Sequence, residues 1–176
     1  MAGIDKLLKK AEDIDLSGVD ILRIIQNKGR VITYHELQDF QNLEELLENN
    51  GACVILYETK ENLGHFCSLF YVPYQNSTIE FFDPYGSYPD AELNYATYNL
   101  THGKPYLTQL LEKTHLKIIY NTKRLQTWKK DVNTCGRWAG LRVRMKTTPL
   151  KKFQDLFLDN QFYRGDLWAT ALTYLL

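Results

Sequence analysis

Cys135 stands in Asn133-Thr134-Cys135-Gly136-Arg137-Trp138, after two small polar residues and ahead of a glycine, where a helical segment begins. A thiol in the first turn of a helix lies at the positive end of the helix dipole, which favours its anion. That is the setting of a nucleophile, and a thiol nucleophile needs a base. His65, in Gly64-His65-Phe66, opens an apolar run from which an imidazole can reach across the end of a sheet. It can take the thiol proton and later give it to a leaving amine. Asp83, in Phe81-Phe82-Asp83-Pro84-Tyr85-Gly86, ends the next run. If the two runs form a hairpin, their ends lie side by side and the Asp83 carboxylate can fix the ring's tautomer and orientation. The chemistry of these three residues is acyl transfer through a thioester. Gly136, lacking a side chain, lets a substrate backbone come close. Trp128 and Trp138 are bulky neighbours of the nucleophile and candidates to line a substrate slot, although a tryptophan at the place of Trp138 on the helix is more often core.

Each assignment has a competing reading. Cysteines are commonly buried small hydrophobes, and Cys53 and Cys67, within apolar runs, are read that way. An Asp before Pro can simply start a turn. His65 with Cys67 suggests a metal pair, but no third or fourth ligand follows at metal-site spacing, so no metal is expected. Glu80 is a weaker substitute for Asp83, because three residues back along a strand puts it on the opposite face. His35, His102 and His115 have no comparable context and read as surface or structural.

The ordered set His65, Asp83, Gln126, Cys135 resembles that of the adenovirus maturation protease and SUMO-type protease superfamily. Within it, the likeness is to the capsid-maturation cysteine proteases of virophages, Maverick/Polinton elements and giant DNA viruses. The residues that carry it are Gly64-His65-Phe66, Phe82-Asp83-Pro84-Tyr85-Gly86, Gln126 and Asn133-Thr134-Cys135-Gly136-Arg137-Trp138. Arg30-Val31-Ile32-Thr33-Tyr34 and Val54-Ile55-Leu56-Tyr57-Glu58-Thr59 extend it upstream. The resemblance implies that Gln126 and the Cys135 backbone N–H form an oxyanion hole. Gln126 lies nine residues before Cys135, further than in the superfamily, so the loop between them must bulge or Asn133 takes the role. Phe66 stands where many relatives have tryptophan, keeping an apolar wall without the indole donor.

The resemblance implies a thiol endopeptidase that cleaves after small, glycine-rich sites and trims capsid or scaffold proteins during virion assembly. Its places would be the host cytoplasm, in a viral factory, and the virion. It needs no metal or organic cofactor. The rivals are an isopeptidase that removes a ubiquitin-like modifier and a non-catalytic nucleic-acid-binding or virion-binding module. The adenovirus enzyme uses DNA as a cofactor and a disulfide-linked peptide activator; no cysteine here stands at a place matching the latter.

Composition agrees with a protein of this size. The chain has 176 residues, 44% of them hydrophobic and 24% charged, and reads as a single domain over 1–176 with a loose arm or short helix over 1–15. Three cysteines disfavour a closed disulfide framework and suit a reducing compartment. No apolar run approaches a membrane span, and the start lacks a secretory signal pattern. Net charge is zero, but eleven Lys or Arg stand against one acid, Asp131, between Lys117 and Lys152. That stretch is either a solvated basic face or a patch for nucleic acid or an anionic capsid interior.

The elements that must position these residues follow from pattern. Ser17 and Asp20 make a capping box ahead of Ile21, Leu22, Ile24 and Ile25, with a stop near Lys28-Gly29. Val31–Tyr34 is β-like, and Asn42–Glu48 is helical with Leu43, Leu46 and Leu47 on one side. Ala52–Tyr57 reads as a central strand, His65–Tyr74 and Thr78–Phe82 as two more, and Leu116–Tyr120 as a fourth. Helices are expected over Lys104–Lys113, Cys135–Lys146, Pro149–Leu158 and Asp166–Leu175. The class is α+β: a central mixed sheet packed with helices, with the nucleophile at the N-terminus of a buried helix, an adenain/Ulp-like papain-type arrangement.

Overall fold

Ala52–Tyr57 is apolar without interruption, and such a run needs cover on both faces. In a computed structural model, which describes residues 2–158 and 164–174, it lies inside a five-stranded mixed sheet with helices on either side. In chain order the elements are α1 (Ala2–Glu12), α2 (Gly18–Ile24), β1 (Arg30–Thr33), a 3-10 turn (Tyr34–Asp39), α3 (Leu43–Leu46), β2 (Ala52–Lys60) and β3 (Leu63–Tyr71). Then come β4 (Thr78–Phe82), a second 3-10 turn (Ala91–Asn94), α4 (Tyr98–Thr101), α5 (Tyr106–Glu112) and β5 (Lys117–Tyr120). Helices α6 (Cys135–Arg144), α7 (Leu150–Leu158) and α8 (Gly165–Thr173) follow. The expected class and the helix that begins at Cys135 are both present. Leu175, the expected end of the last helix, lies outside the described residues.

The strands run in sequence order, β1-β2-β3-β4-β5. Pairs β1–β2 and β4–β5 are parallel; β2–β3 and β3–β4 are antiparallel. Alternation along the strands gives two cores. Cys53, Ile55, Tyr57, Cys67, Leu69, Ile79 and Phe81 pack with Leu37, Leu43, Leu46, Leu107 and Leu110. Val54, Leu56, Phe66 and Phe70 pack with Ile21, Ile24 and Ile25 of the α2 region and with Ala139 and Val143 of α6. Each such side chain contributes about 1.5–3 kcal/mol when fully buried. A third cluster joins Phe82 and Trp138 to Phe153, Phe157 and Ala169 where α6, α7 and α8 meet.

Helix α6 is also tied to the sheet by charge. Arg142 donates to Glu80 from Nε at 2.7 Å and from its NH2 group at 2.9 Å, both residues being fully buried. The same guanidinium donates to the Met145 and Thr148 carbonyls and lies over the Phe153 ring. Glu80 is therefore turned toward α6 and is no substitute for Asp83.

The Ser17/Asp20 capping box forms as its spacing predicts. Residues 1–15, read as a loose arm or short helix, contain α1, which lies against α8. Glu12 at its end is paired with Arg164, and its carbonyl accepts the Asn133 N–H at 2.7 Å.

Candidate active site

Hairpin β3–β4 sets the geometry. Ser68 pairs with Phe82, so the next pair in register would set Cys67 opposite Asp83, beside His65. Asp83 Oδ1 lies 2.7 Å from His65 Nε2. The carboxylate also accepts from the Tyr85 N–H at 2.8 Å and the Ser87 N–H at 3.1 Å. Asn121, just after β5, accepts from the Asp83 backbone N–H and donates to its carbonyl. The turn after β4 is thus built around the carboxylate, which is fully buried.

The other face of the imidazole edge belongs to Cys135. With Nε2 engaged by Asp83, the Cys135 and Cys67 thiols are the ring's other side-chain partners. Cys135 Sγ also lies 3.7 Å from the Gly64 carbonyl oxygen. Gly64 is required by the backbone, since a Cβ there would run into the Tyr57 carbonyl of the paired strand. Burial works against the imidazolium, but its hydrogen-bonded partners, the Asp83 carboxylate above all, outweigh that and hold the His65 pKa well above its ordinary value. Burial likewise raises the Asp83 carboxyl, yet the bonds from His65, Tyr85 and Ser87 prevail and its pKa is lowered.

Donor atoms of His65, Cys67 and Asp83 lie within 4.8 Å of one another. They do not make a metal set. The imidazole nitrogen and carboxylate oxygen already bond each other, and burial pushes the Cys67 thiol well above its ordinary pKa, against the thiolate a metal needs.

A cleft of about 410 Å³ opens at Cys135 and His65, and Tyr85, Glu92, Tyr95, Gln126, Trp128 and Asn133 line it. Tyr85 stacks on the His65 ring, Trp128 leans on Tyr85 with centroids 4.8 Å apart, and Tyr95 stands against Trp128. Trp128 is exposed at the rim. Gln126 is buried; its backbone N–H donates to the Pro84 carbonyl and its Nε2 to the Val132 carbonyl at 3.1 Å, while Oε1 has no partner. Asn133 likewise donates from its amide, to the Asp13 carbonyl at 3.1 Å, and it too lines the cleft.

Of the other expected substrate-wall residues, Trp138 lies elsewhere, and Gly136 and Phe66 border a small pocket beside Cys135. Trp138 is fully buried, donates to Asp166 and packs on Phe153 and Phe157, so it is core and not slot. The cause is its place one turn into α6, on the side facing α7 and α8. Gly136 is buried, and a Cβ there would come within 2.7 Å of Ile21 Cδ1, so its small size serves the α2–α6 contact. Phe66 is 3% exposed and sits beneath the site, where with Leu16, Leu63 and Gly136 it borders a pocket of only about 10 Å³ next to Cys135.

The basic stretch is thinned by the fold. Arg137 and Arg142 are buried, the latter paired to Glu80. Arg144 bonds the Ile24 carbonyl and Lys146 the Asn50 carbonyl. Lys123, Arg124, Lys129 and Lys130 stay exposed in the loop between β5 and α6. No helix among the described residues is long and apolar enough to cross a membrane.

Uncharacterized protein V9 of Sputnik virophage is 38% identical to this chain over 158 residues, 88% of this chain and 89% of V9. The chain belongs to the V9 family. Among solved structures, the V9-family chain is similar to the ASFV pS273R protease, at a TM-score of 0.51 and 15% identity, over 94% of this chain and 69% of that one. The fold is accordingly that of the ASFV pS273R protease. A weaker likeness, at a TM-score of 0.45 and 12% identity, is to the SUMO protease Ulp1, over 92% of this chain and 76% of that one. No family model matches the chain.

Several residues at the site carry no sequence signal of their own. Asn121 and Asp166 act through partners 38 and 32 residues away, and Tyr95 and Glu92 come from a stretch without clear periodicity.

Proposed function

We propose that the protein is a thiol endopeptidase that cuts polypeptides after small, glycine-rich sites and serves capsid or scaffold maturation during virion assembly. The observation that carries this reading is the convergence of Cys135 with the hydrogen-bonded His65–Asp83 pair at one cleft.

The steps follow from the geometry. His65 accepts the Cys135 proton, and Sγ bonds to the carbonyl carbon of the scissile peptide. The oxyanion is met by the Cys135 N–H and the second N–H of the Gln126 amide. His65 returns the proton to the leaving amine nitrogen as the C–N bond breaks, leaving a thioester. Water, deprotonated by His65, attacks the thioester; the C–S bond breaks and the thiol is regenerated. Asp83 keeps the ring oriented and stabilises its charged form throughout. The constriction bordered by Leu16, Leu63 and Phe66 beside Cys135 supports a glycine next to the cut bond.

Membership of the V9 family supports a viral protein, and the host cytoplasm and the virion are the places of action that this reading assigns. The exposed Lys123, Arg124, Lys129 and Lys130 support nucleic-acid contact as an added property, to be read by salt-dependent binding of random DNA to Lys129→Gln and Lys130→Gln. The arginine of the Glu80 pair is unsuited to that test, because it is structural.

The test is intact-mass analysis after incubation with a glycine-ending peptide bearing an electrophilic warhead. One adduct on wild type, absent in Cys135→Ala and slowed in His65→Ala, supports the reading. No adduct, with or without DNA, removes it. Cleavage of folded modifier fusions but not of glycine-rich peptides would favour an isopeptidase.

A further inference from the structure

Asp166 is fully buried, and its carboxylate joins the two segments that carry the candidate oxyanion donors. Its Oδ1 accepts from Thr134 Oγ1 at 2.6 Å and from Trp138 Nε1 at 2.9 Å. Its Oδ2 accepts from the Thr127 backbone N–H at 2.9 Å. Thr127 follows Gln126, and Thr134 precedes Cys135. One carboxylate on α8 therefore sets the spacing between the Gln126 amide and the first turn of α6.

The bond to Thr134 has a second effect. A threonine just before a helix ordinarily turns its hydroxyl inward to accept an N–H of the first turn. Thr134 makes no such bond, and its φ and ψ of −99° and 4° are not the extended values of that arrangement. Its hydroxyl points out and donates to Asp166 instead. The amides at the start of α6 are left without a side-chain acceptor, at the residue where the tetrahedral intermediate forms. An amide at position 166 has only one acceptor oxygen and cannot serve both Thr134 and the Thr127 N–H, so either the clamp on the Gln126 loop opens or the hydroxyl is freed to turn back onto those amides.

We propose that Asp166 is a positioning residue for the reaction: it draws the Thr134 hydroxyl away from the amide end of α6 and clamps the Gln126 loop beside it, so both oxyanion donors face one point. The proposal rests on the peptidase reading above. Two reactions of the same thiol separate the cases. Alkylation of Cys135 by iodoacetamide forms no oxyanion, whereas turnover of a glycine-site peptide does.

For Asp166→Asn, kcat on the peptide is expected to fall about a hundredfold, with KM and the alkylation rate changed by less than about threefold. Thr134→Val has no hydroxyl to turn onto the amides but cuts the tether to Asp166, so it should lose about tenfold in kcat through the clamp alone, and Thr134→Ser should restore most of it. These threonine variants carry the test if Asp166→Asn does not fold. An unchanged kcat, or a fall matched by an equal fall in alkylation, overturns the proposal, the second outcome marking a merely structural role. If wild type neither turns over peptide nor alkylates at Cys135, the peptidase reading fails first and the proposal falls with it.

Discussion

The phenol ring of Tyr85 lies flat on the imidazole of His65, with centroids 4.6 Å apart and planes 10° from parallel. A π face held there restricts the ring's rotation and favours its charged form, an effect of about 0.5–2 kcal/mol. Tyr85→Ala should therefore lower kcat/KM about tenfold, while Tyr85→Phe keeps the face and most of the rate. Steady-state kinetics of the two variants decide this, and equal losses would show that the hydroxyl matters instead.

The pH dependence follows from the His65–Asp83 pair. The His65 pKa is held well above its ordinary 6.5 and that of Asp83 below its ordinary 3.8. A raised imidazole stabilises the fold below pH 6.5, and that contribution is lost as pH rises through the raised value. A lowered carboxyl stabilises the fold above 3.8, and that contribution is lost as pH falls through the lowered value. The pair is thus strongest between those limits. In kcat/KM against pH, the alkaline limb of wild type should lie well above 6.5 and fall toward that value in Asp83→Asn.

Gln126 donates to the Val132 carbonyl and lines the cleft, and in the proposed reaction its second N–H meets the oxyanion. Gln126→Ala should cost about a hundredfold in kcat with little change in KM. Gln126→Glu should do no better, since a carboxylate repels the oxyanion. Peptide turnover measured beside iodoacetamide labelling checks both, and Asn133→Ala, by contrast, should lose far less.

The buried Glu80–Arg142 pair predicts a stability effect without active-site chemistry. Glu80→Gln leaves the guanidinium uncompensated and should destabilise by about 3–5 kcal/mol in urea unfolding. The double replacement Glu80→Leu with Arg142→Met should recover much of this, because both charges leave the interior together.

Gly136→Ala places a methyl 2.7 Å from Ile21 Cδ1 and 3.2 Å from Phe66 Cδ2. Overpacking of this kind costs about 1–3 kcal/mol, so the melting temperature should drop. Substrate binding should be affected only through the shift of α2, which a KM measurement on the folded variant would show.

Local signals carried much of the architecture. A continuous apolar run marks β2, strand-like runs between turn signals mark β3 and β4, the Ser17–Asp20 spacing marks α2, and Cys135 marks the start of α6. The hairpin that brings Asp83 to His65 could be read because both residues sit at strand ends. What could not be read depends on distant partners. Trp138 looks like a slot residue by nearness to Cys135, but helical rotation turns it into the α7–α8 core. Gly136 suggested room for substrate, while the room is taken by Ile21, more than a hundred residues earlier in the chain. The basic stretch reads along the chain as a solvated face or a patch, yet Arg137 and Arg142 point inward, because charge counts do not record the face of a helix.

The bonds of Asp166 also set an order of events during synthesis. His65, Asp83 and Cys135 leave the ribosome before α8, and Thr134 meets Asp166 across 32 residues of chain. A nascent chain in which β3, β4 and α6 have emerged still lacks the carboxylate that joins the Gln126 loop to α6. Completion of that junction is delayed until α8 is made, so a partly translated chain holds its thiol but not the finished surroundings of it.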